Sequence, residues 1–128
     1  MPVTVAWDDE ARTIIHWSYV GKWSWSETSY AFEDTIRMMN EVRHPVSLIH
    51  DLTQSAGIPA SAIHNAYRYT SSLPENWLIS VVVDNGGFAE ALLNIFRTLY
   101  KKMGERYKTA HTLDEARRII EYSSRKPN

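Results

Sequence analysis

The chain of 128 residues contains no cysteine, which excludes disulfides, thiolate nucleophiles and zinc–cysteine sites. It has no apolar run near the ~20 residues that span a bilayer, and Met1 to Thr4 do not begin a signal peptide. Its formal net charge is only -1. We therefore expect a cytoplasmic protein with a single domain over residues 1–124 and a loose tail at 125–128.

The small net charge hides a difference between two parts of the chain. Residues 1–96 carry five Lys or Arg against eleven Asp or Glu, whereas residues 97–128 carry nine against four. A basic segment can mark an anionic partner, but two separately solvated faces of one domain are the better explanation. Because few aromatic residues accompany the basic ones there, we expect no nucleic-acid partner.

Hydrophobic periodicity predicts the fold class. Alternating runs at 3–7 and 13–20 indicate an antiparallel strand pair, and a capping box of Ser24 and Glu27 begins a helix that reaches about Val42. The remaining predicted elements are a strand at 46–51, a helix from Pro59 to about Ser72, a strand at 77–83, a helix at 88–103, a strand at 107–110 and a helix from Thr112 to about Ser123. The order β-β-α-β-α-β-α-β-α indicates an α/β fold with a mostly parallel sheet and an antiparallel N-terminal edge pair.

The segment 45–67 is the first candidate site. An apolar strand there ends in Asp51-Leu52-Thr53, and a loop leads through Gly57 and Pro59 into the next helix. Ligands and partners of open α/β sheets gather at such strand ends. The predicted interaction loop consists of Asp51, Thr53, Ser55, Gly57 and Ser61.

The element order together with Asp51-Leu52-Thr53 resembles the STAS domain, in its SpoIIAA-like bacterial branch. The resemblance extends from about Val3 to Tyr122, and the stretches 21–25 and 94–100 add to it. It implies a non-enzymatic regulatory module that acts through protein–protein interaction. Members of this branch are also similar in fold to lipid-binding Sec14-type domains, which implies a small apolar ligand as an alternative.

The chain departs from this family at one functional segment. The family carries an Asp-Ser-Ser-Gly-type sequence where this chain reads Pro59-Ala60-Ser61-Ala62, so the acidic residue and the glycine are missing. Ser61 is the candidate phosphoacceptor, because a helix N-terminus favours the added negative charge. The competing interpretation is a serine that satisfies local backbone N–H groups.

A catalytic site is not expected from the titratable residues. His50, Asp51 and His64 occur near one strand end, but His50 and Asp51 are neighbours on a strand and must point to opposite faces. No nucleophile elbow is recognisable, and the five histidines show no i, i+4 pair for a metal. We therefore expect no catalytic residue, no metal and no cofactor.

The helix at 88–103 has an apolar arc wider than packing on a sheet requires. Three interpretations stay open: packing against the last helix through Leu113, Ala116 and Ile120, a homodimer or partner interface, or one wall of a pocket. Five tryptophans and seven tyrosines fill a core or line such a pocket. The candidate apolar surface consists of Trp17, Tyr19, Phe88, Leu92, Leu93, Phe96 and Tyr100.

Three functions follow, in order of preference. The first is a regulatory module that binds an unknown protein partner through the loop and helix after Asp51-Leu52-Thr53. The alternative is a carrier or sensor of a small apolar ligand, with a pocket between the helix at 88–103 and the face of Trp17 and Tyr19. The third is an enzyme of unknown reaction.

Overall fold

A computed structural model describes residues 2–125. Its elements are β1 (Val3–Trp7), β2 (Ile14–Gly21), α1 (Trp25–Asn40), β3 (Val46–Ser55), α2 (Ala62–Thr70), β4 (Trp77–Val83), α3 (Phe88–Leu99), α4 (Lys101–Gly104), β5 (Tyr107–Ala110) and α5 (Leu113–Arg125). Of the predicted tail, Arg125 is the last residue of α5, and residues 126–128 lie outside the described part of the chain.

The strands form one sheet in the order β1-β2-β3-β4-β5. β1 and β2 are antiparallel, with Val5 opposite Trp17, and the other three pairings are parallel. The predicted fold class is therefore confirmed: an α/β fold with a mostly parallel sheet and an antiparallel N-terminal edge pair.

Each face of the sheet has its own core, because side chains alternate along a strand. On one face, Ile15 and Trp17 pack with residues of α1, α2 and α3, among them the fully buried Phe96. On the other face, Ile14 and Val81 pack with α5. Burying a side chain such as that of Phe96 stabilises the fold by roughly 2–3 kcal/mol.

The segment after the second buried strand differs from its prediction in two ways. β3 continues to Ser55, so Asp51-Leu52-Thr53 lies within the strand, because Gly21 at the end of β2 still pairs with Ser55. α2 begins at Ala62, three residues beyond Pro59. The indole N–H of Trp25 donates to the carbonyl of Ala60 at 2.7 Å, which holds this part of the loop outside the helix.

The predicted helix at 88–103 is interrupted, and its prediction as one continuous helix is wrong. Tyr100 has φ -133° and ψ 79°, which ends α3 before the short α4. The chain then turns so tightly that a Cβ at Gly104 would lie 2.8 Å from Cα of Arg97. The guanidinium of Arg97 donates to the carbonyl of Tyr107 at 2.7 Å and so ties the turn to β5.

Of the three interpretations of this helix, packing against the last helix is wrong. Ala116 and Ile120 of α5 belong to the core on the opposite face of the sheet, so the sheet separates them from α3. The outer side of α3 stays uncovered, with Phe88 57%, Ile95 50% and Leu99 60% exposed.

Candidate ligand-binding cavity

A cavity of about 140 Å³ lies between the sheet and the helices α1, α2 and α3. Its lining is apolar or aromatic, apart from His50 and two threonines, and among the described residues it includes no Lys, Arg, Asp or Glu. An engineered protein cavity of about 150 Å³ with similar apolar walls binds benzene. The space therefore suits a ring-sized apolar molecule.

The sheet supplies the floor of the cavity. Trp17 and Tyr19 alternate along β2 and point to the same face, and His50 of β3 lies opposite Trp17 in the parallel register. The ring centroids of Trp17 and His50 are 5.0 Å apart, and those of Tyr19 and Trp23 are 4.7 Å apart. Trp25 meets Trp23 edge to face at 4.9 Å, so five rings form one contiguous wall.

The helices supply the opposite wall. Leu92, Leu93 and Phe96 of α3 contribute large side chains, while Ala66 of α2 and Ala89 of α3 contribute small ones. The space remains because alanines stand where larger side chains would fill it.

The hydroxyls of the other two tyrosines in the lining, Tyr69 of α2 and Tyr107 of β5, already have partners. Tyr69 Oη lies 2.6 Å from Thr28 Oγ1, and Tyr107 Oη lies 2.6 Å from Thr70 Oγ1. Burial raises the pKa of Tyr107, whose phenol therefore stays protonated. Because each of these hydroxyls is paired with a threonine hydroxyl, the wall presents a mainly apolar surface to a ligand.

His50 is the polar feature of the floor. Its Nδ1 lies 2.8 Å from Tyr19 Oη. Burial, followed by the nearby charge of His16, lowers the pKa of His50 to about 4, so the imidazole is neutral at pH 7. Burial also raises the pKa of Tyr19 well above its ordinary value.

A separate polar network lies on the other face of the sheet. His16 Nε2 is 3.2 Å from Asp51 Oδ2, and His16 Nδ1 is 3.4 Å from Asp8 Oδ1. Arg117 of α5 donates two hydrogen bonds of 2.9 Å to Asp8. None of these four side chains lines the cavity.

The carboxylates of this network are held in the ionised form. The hydrogen bond from Arg117 is the main cause that lowers the pKa of Asp8. For Asp51, burial acts to raise the pKa, but hydrogen bonds from Thr53 and His16 outweigh it and the pKa falls. Among residues 2–125, no cluster of three or more His, Asp or Glu side chains is arranged to hold a metal ion.

The five residues of the predicted interaction loop do not lie together in one site. Asp51 faces His16, and Ser55 accepts a 2.8 Å hydrogen bond from the indole of Trp23. Thr53, Gly57 and Ser61 are exposed. Ser61 is the N-cap residue of α2, has φ 70° and makes no capping hydrogen bond with its side chain.

Most of the predicted apolar surface lines the cavity. Trp17, Tyr19, Leu92, Leu93 and Phe96 belong to its lining. The other two predicted members lie elsewhere: Phe88 is exposed, and Tyr100 stacks on Tyr67 at a centroid distance of 4.4 Å.

Sequence reasoning missed two contacts. The pairing of His50 with Tyr19 has a usable signal, since His50 alternates in step with Leu48 and Leu52 on one face of β3. Asp8 and Arg117 are 109 positions apart in the chain, and no local sequence pattern predicts their contact.

No family model, curated protein or solved structure matches the chain. Between residues 2 and 125, no helix has both the length and the apolar character needed to cross a bilayer. The location in the cytoplasm and the resemblance to the STAS domain stay predictions.

Proposed function

We propose that this protein binds a small apolar molecule in the cavity and acts as its carrier or sensor. The observation that carries the proposal is the preformed space of about 140 Å³ with an almost wholly apolar and aromatic lining. Binding sites for small molecules are typically concave and apolar, with few polar groups that fix orientation.

The energy of an empty space supports the same function. Protein interiors are close-packed, with few voids larger than a water molecule. Side chains that face this open space lack the packing contacts of a close-packed interior on that side. A bound apolar molecule regains the missing contacts.

A variant that fills the cavity tests the proposal. Ala66 lies in the lining, on α2, so Ala66→Phe places a ring in the space. Ala91→Phe is the matched control, because Ala91 is exposed on α3 and does not line the cavity. The probe is toluene, measured by the rise in melting temperature that follows from binding to the folded state alone.

We expect toluene to raise the melting temperature of the wild type and of Ala91→Phe, with a much smaller rise for Ala66→Phe. Native mass spectrometry of protein from its own host is expected to show a small co-purifying molecule. If toluene leaves the wild-type melting temperature unchanged and nothing co-purifies, the proposal is wrong.

The regulatory protein-interaction module, which the resemblance to the STAS domain implies, is the second candidate. It is supported by the exposure of Thr53, Gly57 and Ser61 along the predicted interaction loop. Pull-downs with Ser61→Asp and with the control Ser71→Asp test it. A partner lost in Ser61→Asp and retained in Ser71→Asp supports this function, and a partner that both variants retain contradicts it.

A further inference from the structure

The hydrogen bond between Tyr19 and His50 determines which imidazole nitrogen of His50 carries the hydrogen. Tyr19 is only 6% exposed, and among the described residues its hydroxyl has no partner except His50 Nδ1. A buried hydroxyl hydrogen needs an acceptor, so the phenol donates and Nδ1 accepts. The neutral imidazole then carries its hydrogen on Nε2.

Among residues 2–125, the Nε2–H group of His50 makes no hydrogen bond to the protein, although the side chain lines the cavity. The side chain is half-buried, and Nε2 is not one of the fully buried atoms that lack a partner. This N–H group is therefore accessible, and a molecule in the cavity can supply its acceptor.

A second unpaired donor belongs to the same wall. Trp17 Nε1 is buried and has no hydrogen-bond partner among the described residues. Its ring lines the cavity, 5.0 Å from that of His50 between centroids. An indole nitrogen can donate but cannot accept, so both unpaired groups call for an acceptor.

We propose that the ligand is an uncharged, ring-sized apolar molecule with one hydrogen-bond-accepting oxygen, such as a ketone, aldehyde or ether, and that this oxygen accepts from His50 Nε2–H. This inference rests on the proposed function, because it assigns a ligand class to the same cavity. His50 is the specificity-determining residue of the site.

The surroundings of His50 favour an uncharged ligand. The described lining carries no Lys or Arg to neutralise an anion, and the imidazole itself is neutral at pH 7. An unpaired carboxylate in an apolar space carries a large desolvation cost. A cation would find no carboxylate in the described lining, and the unpaired N–H groups of His50 and Trp17 are donors, which do not stabilise positive charge.

Two molecules of nearly identical shape test the inference. Acetophenone carries a carbonyl oxygen where α-methylstyrene carries a CH₂ group, so their affinities differ through the hydrogen bond. Benzoate serves as the charged comparison. Each is titrated by calorimetry against the wild type, His50→Phe and the control His64→Phe, whose site is exposed and outside the cavity.

We expect the wild type and His64→Phe to bind acetophenone about 3–10-fold more tightly than α-methylstyrene, the range of one net hydrogen bond. In His50→Phe this preference is lost or reversed, because the carbonyl oxygen is then buried without a donor, and benzoate binds none of the proteins. In the wild type, acetophenone also shifts the ¹⁵N resonance of His50 Nε2, a readout that does not depend on the variant's folding.

Equal affinities of the two probes for the wild type, or an unshifted His50 resonance at saturating acetophenone, would overturn this inference and leave the proposed function standing. If neither acetophenone nor α-methylstyrene binds the wild type, the proposed function fails together with it.

Discussion

His50 and Asp51 are adjacent in the chain, yet they lie on opposite faces of the sheet and belong to different environments. The imidazole of His50 lines the apolar cavity beside Tyr19, while the carboxylate of Asp51 lies 3.2 Å from His16 in the polar network. Strand alternation separates the two side chains. His50 and Asp51 therefore do not form an acid–base pair with each other.

The lowered pKa of His50 predicts a pH dependence of stability. Between pH 4 and 6.5 the unfolded state binds a proton on this histidine and the folded state does not. The contribution of His50 is therefore complete above pH 6.5 and falls as the pH drops towards 4. The change amounts to at most roughly 3 kcal/mol, since each pKa unit corresponds to about 1.4 kcal/mol.

Urea denaturation across this pH range measures the effect. His50→Phe should flatten the dependence, while His64→Phe should retain it because His64 is exposed. The carboxylates of Asp8 and Asp51 have lowered pKa values and act below their ordinary value of 3.8, outside this window. An unchanged slope in His50→Phe would contradict the assignment.

The ion pair of Arg117 and Asp8 predicts a second change in stability. Asp8 is 8% exposed and accepts two hydrogen bonds from the guanidinium, whereas Arg117 is 42% exposed, so solvent screens the pair in part. We expect Arg117→Gln to lower the free energy of unfolding by about 1–2 kcal/mol at pH 7. Arg118→Gln, at an exposed neighbouring position, should change it little.

The same pair also has a pH signature, in the same direction as that of His50 but at a lower pH. The folded-state pKa of Asp8 is lowered, so its stabilisation is present above pH 3.8 and is lost as the pH falls through the lowered value. The difference between the wild type and Arg117→Gln should therefore shrink in acid. A constant difference down to pH 2 would show that the pair does not cause it.

We expect that any side chain at Gly104 causes a steric clash at the turn between α4 and β5. A Cβ there would lie 2.7 Å from Cγ and 2.8 Å from Cα of Arg97, so the backbone must shift. We expect Gly104→Ala to lower the free energy of unfolding by about 1–3 kcal/mol.

Gly86→Ala is the control for that substitution, because its nearest neighbour would be Asp84 Oδ1 at an ordinary 3.8 Å. Chemical denaturation of both variants gives the comparison. Equal stability of the two variants would mean that the close approach of Gly104 to Arg97 is absent in solution.

The left-handed backbone conformation of Ser61 leads us to expect that a glycine at this position stabilises the fold. Its φ of 70° lies in the left-handed region, which costs an L-residue about 1–2 kcal/mol. Glycine adopts this conformation without that cost but loses more entropy on folding. We expect Ser61→Gly to raise the free energy of unfolding by about 0.5 kcal/mol.

Ser71 has φ -67° at the other end of α2, where glycine has no such advantage. Ser71→Gly should therefore lower the free energy of unfolding by about 0.5–1 kcal/mol. The opposite signs in thermal denaturation distinguish a backbone effect from a general effect of glycine, and equal signs would count against it.

Local patterns predicted the element order and the sheet. The capping box was confirmed at Ser24, whose amide donates to Glu27 at 2.9 Å, and alternation placed Ile15, Trp17 and Tyr19 on one face. These features are readable because neighbouring residues determine them. The end of β3 was misjudged because its pairing with β2 involves residues far along the chain. The end of α3 was misjudged because the apolar periodicity continues past Tyr100, where the backbone leaves the helical conformation.

By itself, the sequence determined the α/β class, the order of its elements and the side of the sheet to which each strand residue points. Tertiary structure alone decided that α3 and α5 lie on opposite faces, that Arg117 reaches Asp8, and that a cavity remains over His50. The physical reason is the distance along the chain between the residues involved. Periodicity is a property of adjacent residues, whereas an unfilled space depends on how side chains from several distant elements meet.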